Sequence, residues 1–406
     1  MAIDGWTELC LGEILCSKND KSKQVKSSEY QPIGLYPIVD QSSDFICGYC
    51  DDSKKVIKNE LPYTIFGDHT RHTKFVNFPF VVGADGTQII KPIQSVDDRF
   101  FFYLVSDAAN KIGNYGYDRH FKHLREFRCI FPIDKKEQTQ IAEVLSTIDR
   151  AIAQTEAIIA KQQRIKTGLM QDLLTKGIDE NGNIRSEATH EFKDSAIGRI
   201  PVEWEVKELR EVSLIIDPNP SHRYPPSSDM GVPIASTENF IGDNDFDLSV
   251  SEKVPFYVFE QQNQRCNFSQ TDVVFARKGR LGFARYYGES EKVFSHTVVI
   301  FKRRDEQLLK SHYLLWLVRF RDFFDQLDKR MNSNSGVPTL GVQFLGSVPV
   351  RIPKLSEQIQ ICSTLDSLEM RIEKEKRSLS KQKRQKTGLM QGLLTGKVRV
   401  TSLNKE

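Results

Sequence analysis

One stretch of this chain occurs twice. Glu137 to Lys176 aligns without a gap on Glu357 to Gly396, with about 18 of roughly 40 positions identical, far more than two unrelated amphipathic helices share. Agreement is densest in the second half of each copy, where Lys161-Gln162, Arg164 and Lys166-Thr167-Gly168-Leu169-Met170-Gln171 recur as Lys381-Gln382, Arg384 and Lys386-Thr387-Gly388-Leu389-Met390-Gln391. In the first copy Ile141, Leu145, Ile148, Ile152, Thr155, Ile159, Gln162, Lys166, Leu169 and Leu173 follow one another at alternating steps of four and three. The second copy repeats the series at Ile361, Leu365, Leu368, Ile372, Glu375, Leu379, Gln382, Lys386, Leu389 and Leu393. This spacing makes a coiled-coil seam. Neither window contains proline, so each predicts one helix of roughly 55 to 60 Å at ~1.5 Å per residue. A helix with a single apolar stripe needs a partner, and the nearest is the other copy. Polar residues at the same seam positions, Gln162 with Lys166 and Gln382 with Lys386, lower stability but fix register and orientation. The alternative is that the lysine stems snorkel out of a loosely packed end.

At 406 residues the chain exceeds what one hydrophobic core usually supports, so at least two domains are expected. The openings of the two halves agree as well: Trp6, Leu11 and Glu13-Ile14 match Trp204, Leu209 and Glu211-Val212. The duplication therefore covers whole modules, domain plus helix. Residues 1–133 form the first domain, 134–178 the first long helix, 179–200 a polar linker, 201–353 the second domain, 354–398 the second long helix and 399–406 a tail. Short β-prone runs punctuated by turns, such as Tyr63 to Phe66, Phe75 to Val82, Lys253 to Phe259 and Val293 to Phe301, predict sheets in both domains. Helices are expected from Phe100 to Ile112 and from about Leu308 to Met331. The expected fold is α+β: two similar globular domains joined by two long antiparallel coiled-coil helices, with a pseudo-twofold internal duplication.

No apolar run approaches the ~20 residues of a membrane span, and Met1 to Trp6 has no basic start followed by an apolar stretch, so a cytoplasmic protein is expected. A net charge of +3 does not by itself announce a nucleic-acid partner; such a surface must come from local clustering. Seven cysteines, an odd number, suit reduced thiols. Cys47-Gly48-Tyr49-Cys50 has the spacing of half a zinc site, but no second pair follows, and no metal is expected.

No catalytic order emerges. Asn77-Phe78-Pro79-Phe80 resembles the base-holding loop of amino-methyltransferases only loosely, since its second residue differs and no Gly-rich cofactor loop precedes it. Gly392 with Gly396-Lys397 falls short of a phosphate loop by one residue and ends on Val398. What remains are two basic and aromatic clusters, one per domain and at different positions in their domains. The first comprises His69, Arg71, Lys74, Lys111, Tyr117, Arg119, His120 and Lys122. The second comprises Arg277, Lys278, Arg280 and Arg285, with Asn332 and Asn334 as small polar readers. Arginine and lysine contact guanine edges and phosphates, histidine and tyrosine hydrogen-bond or stack, and glycines such as Gly279 let backbone approach a phosphate. For any single cation the alternative is a solvated surface charge.

The chain resembles the specificity subunits of type I restriction-modification systems. The carriers are Glu357-Gln358 and Gln360-Ile361 opening the second helix, Lys386 to Gln391 with Leu393-Leu394-Thr395-Gly396-Lys397 closing it, and Ile197-Gly198, Ile200-Pro201 and Trp204 entering the second domain. Phe66 to Arg71 and Gly116-Tyr117 with Arg119-His120 are similar to one variant of that family's target-recognition domains. The first helix departs from the pattern, ending Thr175-Lys176-Gly177 where the second ends Thr395-Gly396-Lys397. The resemblance implies a non-catalytic subunit that binds double-stranded DNA through two recognition domains and docks two methyltransferase subunits and, in the full assembly, restriction subunits. S-adenosylmethionine, ATP and magnesium are then expected in the partners and no cofactor in this chain. The rival expectation is a coiled-coil scaffold joining two protein-binding domains, which leaves both cation clusters idle.

Overall fold

The structure, a computed structural model, describes residues 3–83, 85–113, 119–224, 226–228, 230–330 and 340–400. The chain divides into two compact units, Met1–Ile158 with Glu375–Glu406, and Ile159–Lys374. Each unit holds one globular domain and a part of both long helices, Lys135–Thr175 and Leu355–Leu393.

Every seam position named above is buried or half-buried. In the first unit Ile141, Ala142 and Leu145, from the start of the first helix, share a core with Leu393 and Leu394 from the end of the second. In the second unit Leu173 and Leu174 share a core with Ile361, Cys362 and Leu365. Start against end in both units is antiparallel pairing. The seam lysines do not snorkel. Lys166 Nζ lies 3.0 Å from Glu369 Oε1 and Lys386 Nζ lies 2.6 Å from Asp149 Oδ1, each on the opposite helix. The offset that aligns the repeats carries Lys166 onto Lys386 and Asp149 onto Glu369, so each pair is the counterpart of the other.

The helix ends are tied the same way twice. Arg185, beyond the first helix, makes a bidentate pair with Glu357 at the start of the second, and Trp204 Nε1 donates to Glu357 Oε2 at 3.0 Å. Arg399, beyond the second helix, pairs with Glu137 at 2.6 and 2.8 Å. Here Trp6 instead lies under the guanidinium, 5.6 Å from its ring centre. Gly177 and Gly396 close the two helices with φ of +66° and +69°; a side chain on Gly177 would strike Glu357 and Trp204, and one on Gly396 would strike Ile3 and crowd Trp6. The one-residue difference between the two endings thus leaves both glycines in the same role.

Buried Gln138 and Gln358 pin each long helix to its domain. Gln138 accepts from Asp97 N at 2.8 Å and donates to Pro132 O at 2.9 Å. Gln358 accepts from Lys310 N and donates to Pro353 O, both at 2.9 Å.

Each domain opens and closes on one antiparallel ribbon: Trp6–Cys10 with Arg128–Pro132, and Glu205–Glu208 with Pro349–Ile352. Each then builds a four-stranded antiparallel sheet. In the first domain the order is Leu15–Ser17, Thr87–Pro92, Tyr63–Gly67, Thr73–Val76; in the second it is Ser213–Ile216, Val298–Arg303, Val273–Ala276, Ala284–Tyr286. A parallel pair lies beside each sheet, Tyr36–Val39 with Val81–Gly83 and Val232–Ala235 with Val293–Phe294. The helices Asp98–Lys111 and Ser311–Arg319 pack on these sheets and supply several of the largest buried side chains, among them Tyr103, Tyr313 and Trp316.

Four expected elements differ. The run from Phe75 to Val82 falls in two strands, Thr73–Val76 and Val81–Gly83, and the run from Val293 to Phe301 in two, Val293–Phe294 and Val298–Arg303. The run from Lys253 to Phe259 is strand only over Lys253–Val254; at Pro255, whose fixed φ suits a helix start, it becomes the helix Phe256–Cys266. The helix expected from Leu308 to Met331 is two helices, Ser311–Arg319 and Arg321–Arg330. Phe320 between them takes an extended ψ of 137° and buries its ring in the core; Met331 lies outside the described residues.

Candidate nucleic-acid interface

Register shows what the sequence hides: the hairpin loops of the two cation clusters occupy one position. Gly67 pairs with Thr87 and Ala276 with Val298 at the same step of equivalent strands, so the next residues, Asp68 and Arg277, are counterparts. His69 and Arg71 of the first cluster and Arg277, Lys278 and Arg280 of the second therefore share the loop between the third and fourth strands of the sheet order, whereas Lys111, Arg119, His120 and Lys122 come from the helix Asp98–Lys111 and the segment opening the helix His120–Glu126. Antiparallel pairing gathers three loops at that sheet end. In the first domain they lie beyond Ser17, before Thr87 and between Gly67 and Thr73; in the second they lie beyond Ile216, before Val298 and between Ala276 and Ala284.

Four of the expected contact residues are internal. Ile65 pairs with Lys74 and Val274 with Arg285, so Lys74 and Arg285 are also counterparts. Lys74 is 5% exposed; its ammonium donates to Asp44 O and lies 3.9 Å from Asp40 Oδ1 and 3.8 Å from Cys47 Sγ. Burial holds it below the usual lysine range and pushes the Cys47 thiol up. Arg285 is 1% exposed, donates to the carbonyls of Ile241, Gly242 and Asp245, and lies over the Phe240 ring at 3.9 Å. Burial brings it down to about 10. Each buried cation tethers the loop that follows the parallel strand of its domain. Arg277 is buried too: Nε donates to His296 O at 2.8 Å, and its guanidinium pairs with Asp217 Oδ2 at 2.6 Å. His120 is buried, with Nδ1 at 2.8 Å from Asp68 O. The polar atoms of all four are thus turned onto loops of their own domain instead of an outer surface.

The rest lie at or near the surface. His69 is exposed, its backbone N–H donating to Gln41 Oε1 at 3.1 Å. Arg71 takes a left-handed φ of 61° and donates to Ile112 O at 2.9 Å. Lys111 is exposed and paired with Asp107 at 2.6 Å. Arg119 and Lys122, both exposed, line a cleft of about 630 Å³ with Arg125, Phe121 and Gln88. In the second domain Lys278 is half-buried and Arg280 exposed, the latter donating to Phe240 O at 2.9 Å. Gly279 and Gly282 in that loop have φ of +75° and +81°. Tyr117, Asn332 and Asn334 lie outside the described residues.

Sequence reading missed the two centres that organise these loops. Asp68, 1% exposed, accepts from Phe121 N at 2.8 Å through its carboxylate, and its carbonyl accepts from His120 N at 3.0 Å. Arg277 joins all three loops of its domain, its backbone N–H also donating to Thr297 O at 2.9 Å. His222 and His296, stacked above it with ring centres 4.5 Å apart, were missed as well. They are far apart in sequence, and only strand register brings them together. Among the described residues, no group of three His, Cys, Asp or Glu side chains could hold a metal. No helix among them is long and apolar enough to cross a membrane.

Fold and site together define a class: a duplicated α+β chain on paired antiparallel helices, each domain presenting cationic loops at one sheet end. The chain belongs to the family of type I restriction modification DNA specificity domains, whose model matches residues 3–163 and 201–381. It is 27% identical over 367 residues to the type I restriction enzyme MjaVIII specificity subunit of Methanocaldococcus jannaschii, covering 87% of this chain and 82% of the relative. Two solved structures share the fold at 14% identity. One is the type I restriction-modification S subunit from M. genitalium, with a TM-score of 0.60 over 96% of both chains. The other comes from a study of complex assembly and conformational transition in the type I system, with a TM-score of 0.55 over 98% of this chain and 99% of that one.

Proposed function

We propose that this chain is the specificity subunit of a type I restriction-modification complex, in which each globular domain reads one half of a split, asymmetric double-stranded DNA target. The observation that carries this is that cations gather at the same sheet end in both domains of a DNA specificity family member: Lys278 and Arg280 on the loop after Ala276, and Arg71 on the loop after Gly67 beside Arg119 and Lys122, whose segment is hydrogen-bonded to Asp68. Arg119, Lys122 and Lys111 in the first domain and Lys278 and Arg280 in the second serve phosphates and base edges, with His69 beside them. Lys74, Arg285, Arg277 and His120 hold the loops in place. The reading heads correspond to residues 1–133 and 201–353. The helix pair sets the unread interval between half-sites, about one helical turn of DNA, ~34 Å.

The chain directs catalysis and performs none. Two methyltransferase subunits dock on the outward helix faces and bring S-adenosylmethionine to a flipped adenine; restriction subunits add ATP and magnesium chemistry. The MjaVIII relative's name as a specificity subunit supports this division of labour. The test is DNA binding by the chain reconstituted with its methyltransferase subunits. Replacing Lys278 and Arg280 by Ala is expected to weaken binding at least tenfold and to lower the salt slope by about two. Equal affinity and equal slope in the double variant would overturn the assignment of that loop, and an intact complex that binds no duplex DNA would favour the scaffold.

A further inference from the structure

The loop leaving Ser213–Ile216 and the loop entering Val298–Arg303 are neighbours, because Ile216 pairs with Ile300. On these loops His222 and His296 stack, ring centres 4.5 Å apart and planes 23° from parallel. His222 is exposed and His296 half-buried. The backbone at His222 is in the left-handed region at φ 56°, a conformation uncommon for a residue with a side chain. A chain of short bonds holds it: His222 N donates to Asn219 O at 3.2 Å, Ser221 Oγ to Asn219 Oδ1 at 3.0 Å, and Asn219 N to Asp217 Oδ1 at 3.0 Å. Asp217 is itself fixed by the Arg277 guanidinium, whose Nε grips His296 O. Both rings thus stand on one buried staple.

Packing alone does not explain the arrangement. The outer ring gains little burial, yet the loop is bent into a rare conformation to place it over its partner. Around the pair the surface is cationic, with Lys278 on the adjoining loop and Arg223 exposed next to His222. Burial, together with the charges of His222, Lys278 and Arg277 and against that of Asp217, holds His296 toward its neutral form. A neutral imidazole offers one donor and one acceptor.

We infer that the stacked His222 and His296 pair is a base-reading element of the second domain. It presents imidazole N–H groups to purine acceptors in the major groove, N7 and the O6 of guanine, while Lys278 and Arg280 take flanking phosphates. This rests on the DNA-reading function proposed above. The pair confers sequence preference and the lysine confers affinity.

The experiment is binding-site selection from randomised duplexes by the chain assembled with its methyltransferase subunits. His222→Phe keeps a ring on His296 and removes the hydrogen-bonding edge, and His222→Ala removes both. Each is expected to lose about tenfold discrimination at one or two positions of a single half-site, leaving the other half-site and the salt slope unchanged. Lys278→Ala is expected to weaken binding to every sequence alike and to lower the salt slope by about one. A wild-type motif retained by His222→Phe would overturn the inference while leaving the DNA-reading function intact. A wild-type complex that selects no motif would overturn both. Because His222 is exposed, matching thermal unfolding of wild type and variants separates loss of reading from loss of fold.

Discussion

The two domains place opposite charges at one buried position. Where the third strand ends, the first domain has the carboxylate of Asp68 and the second the guanidinium of Arg277, each almost fully buried. The acid collects donors from the helix His120–Glu126, and the guanidinium collects the Asp217 carboxylate and the His296 carbonyl from the loops on either side. Two residues into the next strand's pairing the domains agree instead, with Lys74 and Arg285 both buried and both tethering the loop after the parallel strand. The frame is therefore held by a cation that both copies keep, while the sign of the hub decides which groups the loops can offer outward. That is how a duplicated scaffold can present two different surfaces.

Removing the hubs should separate the two domains most strongly. Arg277→Met strands the Asp217 carboxylate and the His296 carbonyl and is expected to cost about 3–5 kcal/mol in denaturant unfolding. Asp68→Ala loses an acceptor for backbone and side-chain donors and is expected to cost less, about 2–3 kcal/mol. Equal losses would mean that hub charge does not distinguish the domains.

Next come the clamps at the helix ends. Glu357 meets Arg185, Trp204 and the backbone N–H of Ile178, all buried, whereas Glu137 meets an Arg399 whose side chain is 32% exposed. Glu357→Gln should lower stability by about 3 kcal/mol and Glu137→Gln by about 1–2 kcal/mol, following burial of the partner. The reverse order would contradict the geometry.

Along the seam, double-mutant cycles should return about 1 kcal/mol of coupling for Lys166 with Glu369 and about 0.5 kcal/mol for the more exposed Lys386 with Asp149. Burial pushes the Glu369 carboxyl up, so removing Lys166 alone should be the costlier single change.

A smaller contrast is readable in pH. By register, Phe80 in the first domain corresponds to Lys292 in the second, both fully buried. The Lys292 ammonium donates to Tyr287 O at 2.7 Å and sits 4.0 Å from the Tyr287 ring, and burial brings it down to about 8. Above that pH the folded chain sheds a proton that the unfolded chain still holds, so stability should rise with pH toward the ordinary lysine range, by up to about 1.4 kcal/mol per unit. Lys292→Met should flatten that slope in urea unfolding measured from pH 7.5 to 9.5; an unchanged slope would show that Lys292 is not its source.

The long helices were legible because a seam is a periodic pattern, and a pattern repeated along the chain survives changes in individual residues. The duplication was legible for the same reason at its helices and openings, from Trp6 against Trp204 onward. The candidate interface was legible only in part. Sequence shows that Lys74, Arg277 and Arg285 are cationic but not that strand pairing turns them inward, so a charge count mistakes tethers for contacts. Asp68, Gln138, Gln358 and the two stacked histidines owe their roles to register between distant strands or to helix docking. Spacing along the chain carries no sign of these.

The proposed function makes the length of the helix pair set the spacer between the two half-sites. Removing one seam repeat from each helix, residues 152–158 and 372–378, keeps the apolar stripe in phase and shortens the pair by about 10 Å at ~1.5 Å per residue. Methylome sequencing of cells expressing that variant with its partner subunits should return both half-sites unchanged, with a spacer about three base pairs shorter at ~3.4 Å per pair. An unaltered spacer, or altered half-site sequences at an unaltered spacing, would contradict the account.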